Sequence, residues 1–219
     1  MKEGVWAIAS HLEVGQLSTW MDGAHAAHAW TFRLPNATHD QALQMLQTMR
    51  AHAPWLAVHA EWQWATHCKA DAIIAGSRSM PLPQLVDQAC AEVCPMQVGA
   101  ACHDAAELEA AAANGADFAF YSPIWETPSK AGILAPRGVL KLQEMAQQQW
   151  HRPSSGVGGN EPATLPLIAL GGIETPEQVA ACRRHGAQAV AVLRAARDAE
   201  LLAEMVTAWQ QTPAPSSKN

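Results

Sequence analysis

The chain has 219 residues, of which 49% are hydrophobic and 16% charged, and its formal net charge is −6. The length suits a single domain, and a disordered polyelectrolyte would carry more charge. No run of five basic residues occurs, which argues against nucleic acid and acidic membranes as partners. No apolar stretch reaches the roughly 18 residues of a membrane span, and the first residues lack the apolar centre of a signal peptide. We expect a cytoplasmic protein with reduced thiols, since its five cysteines are scattered and odd in number.

Short apolar runs recur along the chain and are separated by Ala-, Gln- and Glu-rich segments with helical spacing. We predict eight strands, at residues 5–10, 28–34, 55–60, 71–76, 97–102, 118–124, 166–172 and 189–195. Each parallel strand needs a crossover connection, which is usually a helix. Eight alternations of strand and helix therefore predict a single-domain α/β fold, a (β/α)₈ TIM barrel over residues 1–211.

Local signals mark several helix ends. Asp104 followed by Glu107 has the pattern of a capping box, and Thr175 before a proline is a typical N-cap. Gly115 and Gly186 are expected just after their helices, in the left-handed conformation that glycine favours.

Two segments depart from the alternating pattern. Residues 151–164 are rich in Gly, Pro and Ser, and we predict a flexible insertion between helix six and strand seven. Such a loop lies at the face of the barrel opposite the active site. Residues 212–219 are polar, and we expect a disordered tail.

The ends of strands seven and eight predict a phosphate site. Paired glycines, Gly171 and Gly172, end strand seven, where backbone N–H groups can approach an anion without a Cβ in the way. Strand eight ends in Arg194 and Ala195, and in barrels the loops after these two strands often bind phosphate together with a helix N-terminus. Arg194 either adds charge there or points outward.

Four stretches in barrel order resemble the thiamine phosphate synthase/TenI family. They are GADFAFYSPIWETPSK at 115–130, PRGV at 136–139, PLIALGGI at 166–173 and GAQAVAV at 186–192. The family has two branches. In the first, thiamine phosphate synthase couples a pyrimidine pyrophosphate to a thiazole phosphate with Mg²⁺. In the TenI branch, the characterised activity is thiazole tautomerisation. The resemblance thus implies an enzyme of thiamine biosynthesis whose partner is a phosphorylated thiazole.

Several synthase positions are changed in this chain. The Arg of the strand-two motif is kept as Arg33, but the pyrophosphate-binding Lys is replaced by Pro35. The acidic metal ligands expected after strands three and four are replaced by Ala60 and Ser79. The sequence leaves open whether Glu61 or Asp87 compensates. We expect no metal or other cofactor unless the chain is a true synthase, which would need Mg²⁺.

A histidine follows strand five, where the TenI branch places its acid/base. His103 matches that position, and an unperturbed imidazole titrates close to neutral pH. We therefore predict that His103 is the catalytic residue.

The resemblance and the barrel geometry imply further contacts with the substrate. The candidates for substrate binding are Arg33, His59, Trp125, Thr127, Ser129 and Lys130, and Gly138 is a further backbone donor to the phosphate. Two alternatives stay open: Arg33 forms an ion pair with a barrel-mouth acid such as Glu61, or Lys130 is simply a solvated loop residue.

Three functions follow from this sequence. The first is a TenI-like thiazole tautomerase, an isomerase, and the second is a thiamine phosphate synthase, a transferase. The third is a non-catalytic protein that binds thiazole or thiamine phosphates. The oligomeric state is not determined by the sequence, which allows a homo-oligomer.

Overall fold

The computed structural model describes residues 1–76, 79–92, 95–127, 132, 134–151 and 162–215. Within these residues, eight parallel strands close into a barrel and a helix follows each strand. The strands are β1 (Gly4–Ser10), β2 (Ala29–Arg33), β3 (Leu56–His59), β4 (Ala72–Ala75), β5 (Gln97–Cys102), β6 (Phe118–Tyr121), β7 (Leu167–Leu170) and β8 (Ala189–Val192). The helices are α1 (Leu17–Ala24), α2 (His39–His52), α3 (Trp62–His67), α4 (Leu82–Ala91), α5 (Ala105–Ala113), α6 (Gly138–Gln147), α7 (Pro176–Arg184) and α8 (Ala199–Gln211).

Parallel pairing between the first and last strands closes the barrel. Gly4 of β1 lies opposite Ala189 of β8, and every other strand pairs with its neighbours in sequence. The predicted (β/α)₈ fold is confirmed. β6 ends at Tyr121, three residues before its predicted end, because Pro123 has no N–H to donate to a ladder.

Aromatic side chains fill the N-terminal half of the barrel interior. The ring centroids of Trp6 and Trp55 are 4.7 Å apart, and Phe118 and Phe120 pack against Trp6 with centroids 5.7 Å away. Because these rings block that end, a ligand can enter the interior only from the C-terminal end of the strands.

The helices pack around the barrel through a second and larger apolar layer. Side chains at alternate strand positions face it, such as Trp30, which is 2% exposed and meets Trp20 edge-on. Among the described helices, none combines the length and apolar character needed to cross a bilayer.

The predicted helix ends are found with one difference. Asp104 caps α5 by accepting from the N–H of Glu107 at 2.9 Å, but the Glu107 carboxylate reaches the N–H of His103 rather than that of Asp104. Thr175 caps α7, and Gly115 and Gly186 follow their helices with φ of 85° and 91°.

The predicted insertion has paired ends. Trp150–His151 and Pro162–Ala163 form a two-residue antiparallel ladder, and residues 152–161 between them lie outside the described part. The flexibility predicted for 151–164 stays a prediction. Of the predicted tail, Thr212 is buried and its hydroxyl donates to the carbonyl of Ala208, whereas 216–219 lie outside the described residues.

Barrel packing predicts the effect of one glycine substitution. A Cβ on Gly99 would lie 2.3 Å from the Phe118 ring, so we expect Gly99→Ala to lower the free energy of unfolding by about 1–3 kcal/mol. Gly15→Ala is the control, because a Cβ there meets nothing within 4 Å. Urea unfolding of both variants tests this, and equal stability of the two would contradict the close packing of β5 on β6.

Candidate active site

A cavity of about 600 Å³ opens at the C-terminal end of the barrel strands. Every strand, or the loop that follows it, contributes to its wall. Apolar residues such as Ile8, Ile74 and Leu170 form much of the lining. The polar lining side chains are those of Arg33, His59, His103, Glu107, Ser122, Thr127, Glu174 and Arg194.

The paired glycines after β7 form a tight wall of backbone. Gly171 and Gly172 have φ of 100° and 68°, a region that favours glycine. A Cβ on Gly172 would lie 2.6 Å from Cβ of Trp125 and 2.7 Å from the carbonyl oxygen of Glu126. The Trp125 N–H also donates to the carbonyl of Gly171 at 3.0 Å. The loop after β6 is therefore packed on these glycines, and their backbone lines the cavity.

Arg194, at the end of β8, is paired with an acid that sequence reasoning missed. Its guanidinium forms an ion pair with Glu174, and both side chains are about half exposed on the cavity wall. Arg194 therefore faces the predicted phosphate position with its charge partly compensated. Ala195 is buried, starts a short 3-10 segment, and is not among the lining residues.

His103 is held by a backbone carbonyl. Its Nδ1 lies 2.7 Å from the carbonyl oxygen of Ser122 and 3.2 Å from the Ser122 hydroxyl. A carbonyl can only accept, so we assign the proton of the neutral ring to Nδ1, which leaves the lone pair on Nε2. The His103 N–H donates to Glu107 at 2.5 Å, which fixes the backbone at the same point. This arrangement prepares His103 to accept a proton at Nε2.

The thiol next to His103 is not a nucleophile. Burial and, to a smaller extent, the charges of Glu107 and Asp104 together raise the pKa of Cys102 to about 12. Its side chain belongs to the apolar layer outside the barrel. At neutral pH the thiol stays protonated, and a Cys–His pair does not form here.

His59 is a second imidazole at the cavity, and it is uncharged. Burial, together with the nearby positive charge of Arg33, lowers the pKa of His59 to about 3. Its Nε2 is buried and has no hydrogen-bond partner among the described residues. The hydroxyls of Ser10 on β1 and Thr31 on β2 are also buried, and they too have no hydrogen-bond partner among the described residues. This side of the barrel interior therefore carries neutral polar groups that a ligand or ordered water can satisfy.

The structure brings only part of the predicted set together. Arg33, His59, His103 and Thr127 line one cavity with the glycines and Arg194. Trp125 is half-buried behind Gly172 and does not line the cavity. Ser129 and Lys130 lie outside the described residues.

The prediction for Gly138 needs a correction. Gly138 begins α6 with φ of 72°, and its N–H donates to the carbonyl of Ile124 at 2.9 Å. That amide is already used within the loop, so the structure does not place it as a donor to a phosphate. The sequence before α6 could not predict this hydrogen bond, because any residue type can supply the backbone N–H and carbonyl that form it.

Sequence reasoning missed Ser122 and Glu174. Ser122 acts through its backbone carbonyl, which any residue type would supply, so no pattern could have identified it. Glu174 follows the Gly-Gly-Ile motif, and only the pairing of β7 with β8 brings it beside Arg194.

A family model described as thiamine monophosphate synthase matches residues 34–196, about three quarters of the chain. The chain belongs to this family. It is 33% identical to the thiamine-phosphate synthase of Mycobacterium sp. (strain KMS) over 128 residues, 58% of this chain and 55% of that protein. It is 31% identical to that of Rhizobium etli over 143 residues, 65% of this chain and 62% of that protein. The matched stretches thus span little more than half the length of these relatives.

A solved structure shows the same fold. The thiamine phosphate pyrophosphorylase from Pyrococcus furiosus superposes with a TM-score of 0.72, covers 96% of each chain and is 18% identical in sequence. At that identity, the likeness supports the barrel architecture.

Among the residues that the structure describes, those at this mouth do not fit the Mg²⁺ expected of the synthase branch. The Ala60 side chain has no ligand atom, and the Ser79 hydroxyl is bonded within its own turn to Gly76. Neither Glu61 nor Asp87 lines the cavity. The carboxylates that do line it, Glu107 and Glu174, are bonded to His103 and Arg194, and the described residues hold no cluster of three metal-binding side chains.

The glycine wall makes a testable prediction for this thiamine monophosphate synthase family member. Gly172→Ala would force Cβ into the loop after β6, so, if a thiazole phosphate binds at the phosphate site predicted from the sequence, we expect at least about tenfold weaker binding by calorimetry. Gly76→Ala is the control, because Gly76 also lines the cavity but a Cβ there meets nothing within 4 Å. Equal affinity of the two variants would show that the phosphate binds elsewhere.

The low pKa of His59 predicts how stability depends on pH. In the unfolded chain His59 has an ordinary pKa near 6.5, whereas in the fold it is about 3. Between these values only the unfolded state binds the proton, so stability falls as the pH is lowered, by about 1.4 kcal/mol per pH unit. In His59→Gln, the free energy of unfolding should no longer show this contribution to its fall with pH below pH 6.5. His52→Gln, at an exposed site, should still show it. Urea unfolding at a series of pH values measures both slopes, and equal slopes for all three proteins would refute the buried neutral His59.

Proposed function

We propose that the chain is an enzyme of thiamine biosynthesis that binds a thiazole phosphate, with the phosphate against Gly171 and Gly172. The observation that carries this proposal is the backbone wall after β7, where two left-handed glycines face a deep cavity beside Arg194. Membership of the thiamine monophosphate synthase family and the names of the relatives support the choice of substrate.

The names of the relatives favour the coupling reaction as the first candidate. The proteins from Mycobacterium and Rhizobium are thiamine-phosphate synthases, so a transferase that joins a pyrimidine pyrophosphate to thiazole phosphate is the function their similarity supports. Among the described residues of this chain, Arg33 is the cation that lines the mouth on the side away from the glycines. Pyrophosphate binding would depend on it, because Pro35 stands where the family has a lysine.

The hydrogen bond between His103 and Ser122 favours thiazole tautomerisation as the second candidate. Nε2 of His103 removes a proton from a ring carbon, and the imidazolium that forms returns a proton to another position, so the residue ends unchanged. The Ser122 carbonyl, 2.7 Å from Nδ1, stabilises the imidazolium during this step. This reaction needs neither a metal nor a pyrophosphate, which agrees with Ala60 and Pro35 standing where the resemblance places a metal ligand and a lysine.

One set of assays separates the candidates. Purified protein is incubated with thiazole phosphate and pyrimidine pyrophosphate, with and without Mg²⁺, and thiamine phosphate is measured. The same protein is incubated with the non-aromatic thiazole tautomer alone, and aromatisation is followed by absorbance. Product in the first assay identifies a transferase and product in the second an isomerase. Tight binding of thiazole phosphate with neither product identifies a binding protein.

His103 provides the variant that tests the mechanism. Replacing His103 with Gln removes the acid/base, so we expect tautomerisation to slow by about 10²–10⁴-fold. Coupling removes no proton from carbon and should change far less. The matched control is His25→Gln, because Nδ1 of His25 also contacts a carbonyl, that of Asp22 at 2.6 Å, on an exposed helix end. Tautomerase activity of the His103 variant equal to wild type would contradict the role of His103.

A further inference from the structure

A second cavity, of about 410 Å³, lies at the opposite end of the barrel from the active site. Its lining comes from the segment before β1, the residue before β2, and the C-terminal parts of α7 and α8. The lining residues are Lys2, Glu3, His28, Arg183, Trp209 and Gln210, and we call this group the basal notch. Four segments far apart in sequence therefore meet at one place.

Arg183 is held in the basal notch by an aromatic ring. Its guanidinium carbon lies 4.6 Å from the centre of the Trp209 ring, a cation–π contact. Trp209 is only 4% exposed, so the ring is a fixed support. The Arg183 Nε is buried and has no hydrogen-bond partner among the described residues. A planar guanidinium oriented in this way is suited to an oxyanion.

His28 is held by the backbone of β1. The Val5 N–H donates to Nδ1 of His28 at 3.2 Å, so the neutral ring carries its proton on Nε2. Gly4 has φ of 124°, and a Cβ there would lie 2.4 Å from Cγ of His28, so only glycine permits this contact. His28 is thus a positioned N–H donor in the notch.

The basal notch is positively charged in a chain whose formal net charge is −6. Lys2 and Arg183 are its cations and Glu3 its carboxylate, and neither cation forms an ion pair within the described residues. Partial burial lowers the pKa of His28, and the charges of Lys2 and Arg183 lower it further. Both cations therefore act on the same ring, and an anion placed between them would relieve their repulsion.

We propose that the basal notch is a second binding site, distinct from the active site, for a phosphate group that Lys2, His28 and Arg183 contact. Arg183 supplies a planar set of N–H donors, Lys2 supplies an ammonium group on a flexible side chain, and His28 supplies one N–H. Together these donors match the several oxygens of a phosphate. The phosphate is free or part of a small ester, since both present the same oxygens. The proposal does not depend on the function of the active site.

Bound phosphate should raise the pKa of His28, which the two cations lower. A negative charge beside the ring favours the imidazolium, so the pKa of His28 rises when phosphate binds. Among the described residues, the charged groups that line the notch with His28 are Lys2, Glu3 and Arg183, and the pKa of His28 responds to the two cations. At fixed ionic strength only a bound anion produces this rise, because general screening of the cations is then unchanged.

Histidine NMR tests the proposal with inorganic phosphate as the probe. The ¹H–¹³C ring signals of the intact chain are titrated with pH, with saturating phosphate or with chloride at equal ionic strength, and His28→Gln assigns the signal. We expect phosphate to raise the pKa of His28 by at least about half a unit. Glycerol phosphate in a parallel arm shows whether an ester binds as well as the free ion, and acetate shows whether any carboxylate suffices.

Three variants make the result specific. Arg183→Gln and Lys2→Gln should each weaken the effect of phosphate on His28 at least about tenfold in apparent affinity. Arg184→Gln, one residue further along α7 and exposed, should leave it unchanged. Lys2 is exposed, so its variant tests the proposal even if Arg183→Gln does not fold. The proposal is overturned if the pKa of His28 is the same in phosphate and in chloride, or if acetate raises it as much as phosphate does. It is also overturned if Arg184→Gln weakens the apparent phosphate affinity as much as Lys2→Gln does. The His103 signal reports the active site separately.

Discussion

The closure of the parallel barrel is the constraint on which the rest of this structure depends. Once β1 pairs with β8, all eight strands run in one direction and their C-terminal ends meet on a single rim. Side chains at alternate positions then face either the closed interior or the surrounding helices. Arg33, His59 and His103, separated by up to 70 residues in sequence, reach one cavity for this reason.

The two sides of the mouth differ in chemistry. The β7–β8 side presents backbone at two left-handed glycines, with an ion pair beside them, and this is the half that binds a phosphate in the proposed function. The β1–β3 side presents the Arg33 guanidinium together with neutral polar groups, because burial keeps His59 uncharged and leaves the hydroxyls of Ser10 and Thr31 without described partners. The positions at which the synthase branch has acidic ligands hold Ala60 and Ser79. Within the proposed function, the names of the relatives favour coupling of a thiazole phosphate, whereas the hydrogen bond between His103 and Ser122 favours tautomerisation of its non-aromatic precursor.

The aromatic layer separates the two ends of the barrel. Trp6, Trp55 and Phe118 pack across the interior between the active site and the basal notch. A ligand in the notch therefore contacts none of the residues of the active site directly. The Trp6 indole also donates to the carbonyl of Lys2 at 2.8 Å, which connects the notch backbone to this layer.

The sequence by itself determined the barrel, its helix caps and the glycine wall. These features follow from local rules: alternation of strand and helix, N-cap oxygens such as those of Asp104 and Thr175, and backbone angles that favour glycine at 171 and 172. It also indicated His103 through the family resemblance. Only the tertiary structure decided the contacts of these residues, because a carbonyl such as that of Ser122 or the N–H of Gly138 has no signature in residue type. For the same reason, the pairing of Arg194 with Glu174 and the low pKa of His59 appeared only once strand pairing and burial had set their neighbours.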